Sequence, residues 1–246
     1  MRKEFQDITG QEPIQVTPQE ILAQKGIYFG IYPHILRDTS RIEPYRGQIE
    51  KVAYDSILQA SYEMPIRDVS IGVFDFPENC IPELGIGGAA NGKVGAYKQT
   101  LIEIDLDPES QHRDSAISKE LARTIRHELH HDVRGKFFGQ DKNLRDRVIL
   151  EGLAQHYEIE GTDEKPPIYA TALMPDQLQP LLKLIEADFE SFGEKASDWL
   201  FGAEDKGIPR WTGYSIGYHI IGEYLKSHPD QKASSLYAAP SEIFFK

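Results

Sequence analysis

One cysteine, Cys80, in 246 residues removes two kinds of chemistry at once. No internal disulfide can form, and no site built from several thiolates is available. Basic residues are also scarce, with 27 Lys and Arg against 39 Asp and Glu, a formal net charge of -12. That balance excludes nucleic acid as the main partner, because phosphate binding needs a basic face; it weakly favours neutral or basic substrates. No apolar run approaches the ~18 residues of a membrane span. The first residues, Met1–Asp7, contain no apolar signal segment, so the expected compartment is the cytoplasm. Low-complexity stretches and internal repeats are absent as well. What remains is a globular composition, 40% hydrophobic, long enough to bury a real core.

The chemistry concentrates in Arg126-His127-Glu128-Leu129-His130-His131. Residues at i and i+4 of a helix lie on one face, so His127 and His131 can grip one metal ion while Glu128 reaches its water as a base. Glu151, with nineteen residues between it and His131, is the candidate third ligand, leaving a fourth tetrahedral position open as in catalytic zinc sites. A third histidine is excluded, because the positions three and six after His131 are Arg134 and Phe137. Zn2+ is the expected cofactor. His130 and His219 lie off the relevant faces and are expected to be structural or surface residues.

The segments around this motif can house it. Thr17-Pro18-Gln19-Glu20 reads as a capping box opening a short helix to Gln24. Residues 47–62 carry apolar positions at helical spacing, and 68–76 are β-branched and aromatic, a strand. The glycine-rich passage 81–92 lacks the residues of a phosphate loop and reads as a tight turn between strands. Residues 99–106 alternate as a strand, expected at a sheet edge where an extended peptide can pair. The metal helix is capped by Asp114 or Ser115 and is expected to stop at Arg134 and Gly135, placing the motif in its last two turns. A second helix, 143–159, carries Glu151. Gly152 beside it costs about 1 kcal/mol against alanine, a cost expected to reflect close approach of the metal helix. Pro180 is expected to open a further helix, 194–200 to form a short one, and the helix reaching Lys226 to stack Tyr214 on Tyr218.

His127-Glu128-x-x-His131 followed by Glu151 resembles the gluzincin arrangement of thermolysin-like metallopeptidases. More narrowly, Ile-Pro-Glu-Leu-Gly-Ile-Gly-Gly (81–88), His-Glu-Leu-His-His (127–131), Glu-Gly-Leu-Ala (151–154) and Trp-Thr-Gly-Tyr-Ser-Ile-Gly-Tyr (211–218) resemble a bacterial family of uncharacterised domains described as predicted zinc-dependent proteases. This resemblance covers the chain from about residue 50 to its end. It implies an α+β, gluzincin-like fold: one catalytic domain over 1–246, with an N-terminal α/β lobe (1–135) ending in the metal helix and a helical C-terminal lobe (136–246). It implies a peptide or protein substrate, and it puts Tyr214, then Tyr218, forward as oxyanion donors. One position departs from the thermolysin-like pattern: Gln155 stands four residues after Glu151, where those enzymes use an aspartate to support a zinc histidine. The alternative is a zinc-containing peptide-binding, chaperone or regulatory module without turnover, or a hydrolase of non-peptide amides.

Overall fold

A computed structural model describes residues 17–32, 41–93, 100–139 and 142–245, with backbone alone at 91–93. Helix α1 (Pro18–Gln24) has the expected capping box at Thr17. It leads to β1 (Ile27–Tyr32), α2 (Arg46–Glu63), β2 (Val69–Asp75), β3 (Ile86–Lys93) and β4 (Thr100–Leu106). The sheet order is β1-β2-β4-β3, with β3 antiparallel to β4 and the other neighbours parallel. Period-2 alternation sends Ile27, Ile31, Val69, Ile71, Val73, Ile102 and Ile104 to one face, all buried. Helix α2 contributes Ile49, Ala53, Ile57 and Ala60 to the same core.

Two expectations about the sheet are corrected. β4 lies between β2 and β3, so its backbone groups are already paired and it cannot take up a peptide. The glycine-rich passage is a turn only as far as Gly85; from Ile86 it is strand β3. Glycine suits this strand because of what crosses it. A Cβ at Gly88 would lie 2.7 Å from the Thr124 methyl and 3.0 Å from Glu128 Cγ.

The metal helix enters through a turn at Arg113–Ser115 and a π-helical turn at Ala116–Glu120, then runs as α3 (Leu121–Phe138). Leu121, Ile125, Leu129 and Val133 bury its apolar stripe against the sheet and α2. It does not stop at Gly135, as expected from sequence. Lys136 bonds Asp132 and the Arg67 carbonyl across the last turn, and Gly139, at φ 75°, makes the left-handed exit. The His/Glu motif therefore sits mid-helix, where the backbone is rigid.

Helix α4 (Leu144–Glu158), capped by Asn143, packs against α3 and against α7 (Thr212–Ser227). Gly152 serves α7, not the metal helix: a Cβ there would fall 2.3 Å from the Gly217 carbonyl oxygen, and one at Gly217 would fall 2.2 Å from that of Val148. Between them lie α5 (Pro175–Glu186) and α6 (Gly193–Phe201). Pro175, not Pro180, occupies the first helical turn of α5. Pro180 stands on the exposed side, where water can meet the carbonyl it leaves unpaired. Leu144, Val148, Leu178, Ile185, Trp199, Leu200 and Ile216 form a second core. Among the described residues no helix is long and apolar enough to cross a membrane.

Candidate metal centre

The i, i+4 spacing brings the His127 and His131 rings to 4.5 Å, nearly perpendicular. Both Nε2 atoms converge on one oxygen of Glu151, at 3.1 Å from His127 and 3.4 Å from His131. Ligand atoms of His127, Glu128 and His131 lie within 4.8 Å of one another, the single such group among the described residues. All four residues are largely withdrawn from solvent, with His127 at 6% and Glu128 at 5% exposure and the His131 and Glu151 side chains at 12%. Helix α3 supplies three of them and α4 the fourth, so the centre is assembled by one helix pair.

The electrostatics follow from that enclosure. Burial disfavours a charged His127, yet its bonds to Glu151 and Glu158 outweigh this and hold its pKa well above the usual histidine value. Burial likewise disfavours an ionised Glu151, but the charge of His131 and the histidine hydrogen bonds drive it below the carboxylate range. Glu128 moves the other way: burial pushes its carboxyl up, only partly offset by the charges of His131 and His127. Its Oε2 is buried without a hydrogen-bond partner, as is His131 Nδ1. Buried polar atoms normally find partners. An imidazole pair meeting one Glu151 oxygen, with the Glu128 carboxylate beside the two rings, is a donor set suited to a divalent ion of the zinc type.

Two chambers flank Glu128. One, of about 240 Å3, is walled by Ile81, Leu84, Ile86, Phe201, Trp211 and Tyr169. The other, of about 230 Å3, is more polar, with Thr100, Asp132, Lys142 and residues 88–90 of β3. His127, Glu128 and Tyr214 line both. Burial, with the charges of Glu151 and Glu128, keeps the Tyr214 hydroxyl protonated far above its ordinary range. The two tyrosines do not share surroundings. Tyr214 meets Tyr169 and Phe201, while Tyr218 lies flat on His156, 4.2 Å away, outside both chambers. A larger cavity of about 890 Å3 lies apart from this chemistry, between α5, α7 and the segment Ser241–Phe245. Burial and the nearby Asp105 push the Cys80 thiol up to about 12, which disfavours its thiolate form.

Three neighbours of the centre carry no motif of their own. Glu158, seven residues after Glu151 on the same face of α4, meets His127 Nδ1 at 3.2 Å; the i, i+7 spacing is the signal that marks it. Tyr169 donates to the same Glu158 oxygen at 2.9 Å, and Arg123 stands 3.6 Å from the other. Gln155, the position that departs from the thermolysin-like pattern, is fully buried with neither amide atom hydrogen-bonded.

Residues 95–245, more than half of the chain and including both helices of the centre, match the family model described as predicted Zn-dependent protease (DUF2268). The chain belongs to this family. The match begins later than residue 50, so the glycine-rich passage 81–88 lies outside it. Two uncharacterised proteins of Bacillus subtilis (strain 168) are similar: YjaZ, 33% identical over 133 residues, half of this chain and 49% of that protein, and YjfC, 30% identical over 119 residues, 42% and 39%. The matched segment thus spans less than half the length of these relatives. No solved structure matches the chain. The small mixed sheet with mainly helical surroundings is an α+β architecture; the family description itself makes zinc-dependent proteolysis a prediction for its members.

Proposed function

We propose that this chain is a zinc-dependent peptide hydrolase of gluzincin type, with His127, His131 and Glu151 holding the ion and Glu128 as general base. The observation that carries the reading is the convergence of both imidazole Nε2 atoms on one Glu151 oxygen beside a buried carboxylate with an unpartnered oxygen. A bound zinc ion supplies Lewis acidity, acidifying a water and polarising a carbonyl. Glu128 accepts the proton of the attacking water at its free Oε2, and burial makes it a stronger base than an exposed glutamate. It then delivers that proton to the leaving amine. Tyr214, kept protonated and lining both chambers, donates its O–H to the developing oxyanion. Tyr218, stacked on His156, is left with a packing role.

The substrate reading follows from the walls. β3 has no second strand partner among the described residues, and Gly88, Ala89 and Ala90 of this edge strand line the cleft, so an extended peptide pairs there rather than on β4. The chamber walled by Leu84, Phe201 and Trp211 takes a bulky apolar side chain next to the scissile bond. With zinc occupancy confirmed by elemental analysis, a peptide-library screen with and without chelator tests the activity. Glu128→Gln should keep its zinc and lose at least ~100-fold in kcat. An unchanged rate in that variant sinks the mechanism, and zinc retention with no cleavage by the unaltered protein favours a peptide-binding module instead.

A further inference from the structure

We infer that Glu158, locked by Tyr169, is the positioning residue that orients His127 for the metal, and that the two histidine ligands are held unequally. This rests on the metal-binding half of the reading above. His127 is gripped at both ring nitrogens by one helix: Nε2 faces Glu151 and Nδ1 faces Glu158, each from α4. A donor bond from Nδ1–H to Glu158 fixes the tautomer whose Nε2 lone pair points at the ion, and it makes that lone pair more basic. Glu158 is 2% exposed, and a carboxylate is retained at such depth only where several donors meet it. Tyr169 donates to the oxygen that His127 uses; the other, 3.6 Å from Arg123, has the guanidinium charge beside it but no hydrogen bond. His131 has nothing comparable, for its Nδ1 is buried without a partner.

Position 155 does not fill this role. Gln155 lies between Glu151 and Glu158 on α4, yet its amide atoms make no hydrogen bond to a histidine. The support has moved three residues along the helix, to the next place on the same face. Tyr169 also faces His127 and Tyr214 edge-on and walls the apolar chamber. A side chain entering that chamber therefore packs against the residue that holds Glu158 in place.

The test uses the full-length protein and zinc alone, titrated against a competing chromophoric chelator. Glu158→Gln should weaken zinc binding ~10–100-fold, and Tyr169→Phe, which removes one hydroxyl, by ~2–10-fold. Gln155→Leu should leave the affinity within about twofold of the unaltered protein, since a merely structural role for this face of α4 would affect 155 and 158 alike. In the zinc-loaded protein a slowly exchanging His127 Nδ1–H proton resonance should be present and should shift or vanish in Glu158→Gln. Should Glu158→Gln fold poorly, Tyr169→Phe carries the test by itself. Wild-type affinity in a folded Glu158→Gln or in Tyr169→Phe, or a loss in Gln155→Leu equal to that in Glu158→Gln, overturns the assignment while leaving the peptidase reading intact. Tight zinc binding without cleavage overturns the peptidase reading and leaves this one standing.

Discussion

His127 and His130 stand three residues apart on α3, both buried, and their surroundings drive them in opposite directions. His127 faces two carboxylates and is pushed toward the protonated form. His130 has burial and the charges of His131 and Arg134 against it, with only the Ala233 carbonyl as acceptor, and is driven well toward the neutral form. The contrast extends along the helix. On the cleft side, Arg123, His127 and His131 meet ionisable side chains. On the flank toward the end of α4 and the C-terminal segment, basic groups donate to main-chain carbonyls. Arg126 binds those of Tyr157 and Glu160, and Arg134 those of Tyr237 and Ala239. A buried cation bonded to fixed carbonyls is a fastener; one facing side chains that also bind metals belongs to a site.

Removing a fastener should cost most. Arg134 also donates to Ser241 Oγ, so Arg134→Met leaves three acceptors, two half-buried and one buried, without this donor. Its expected cost is about 3 kcal/mol, measured by urea unfolding of the chelated protein. Zinc stoichiometry in the folded fraction should be unchanged. A variant that keeps its stability but loses zinc would erase the distinction between flank and cleft.

The two histidines should also give the metal-free protein opposing pH limbs. For His130 the unfolded chain takes up a proton near pH 6.5 and the folded chain does not, so stability falls as pH drops below that value, by up to about 1.4 kcal/mol per pH unit. For His127 the folded value is the higher one, so its contribution is complete below pH 6.5 and is lost as pH rises through the folded value. His130→Gln keeps a donor for the Ala233 carbonyl and should flatten only the acid limb. Zinc, which replaces the His127 proton, should remove the alkaline limb and steepen the acid one, because the metal holds unprotonated a ring that the unfolded chain protonates below pH 6.5. Denaturation midpoints across pH 5–9 with and without zinc check both; an acid limb untouched by His130→Gln would show that the flank histidine does not behave as its surroundings dictate.

Local periodicity made much of this legible. The His127/His131 pair needs only a helix, and the capping box at Thr17 needs only four residues. Glu151 is legible from its spacing after His131 and from Leu144, Val148, Ile149 and Leu153 around it, which read as a helix. Long-range partners were not. The strand character of Ile86–Lys93 comes from pairing with β4, and its glycines answer to a side chain on α3. Gly152 answers to Gly217, far along the chain. Tyr169 comes from an irregular segment with no period to read, and Glu158 carries no motif of its own, lying almost one turn beyond position 155. Pro175 and Pro180 both look like helix starts, and nothing local separates them.

A buried acid without a basic neighbour sharpens the contrast from the other side. Glu151 is held below the carboxylate range by two histidines. Asp105 on β4 is 3% exposed, accepts one hydrogen bond from the Asn79 amide and has its Oδ1 unpartnered; burial pushes its carboxyl up to about 6. The folded chain therefore stays protonated while the unfolded chain ionises, so stability should fall as pH rises from about 4 to 6 and stay reduced above it. Asp105→Asn keeps an acceptor for Asn79 and cannot ionise. Of the roughly 3 kcal/mol that a shift of this size represents, local water and the new amide's own needs should leave a gain of about 1 kcal/mol at pH 7, with the slope between pH 4 and 6 reduced. A loss of stability at pH 7 would mean that the carboxylate is held by a charge partner after all, and that Asp105, like Glu151, answers to a cation.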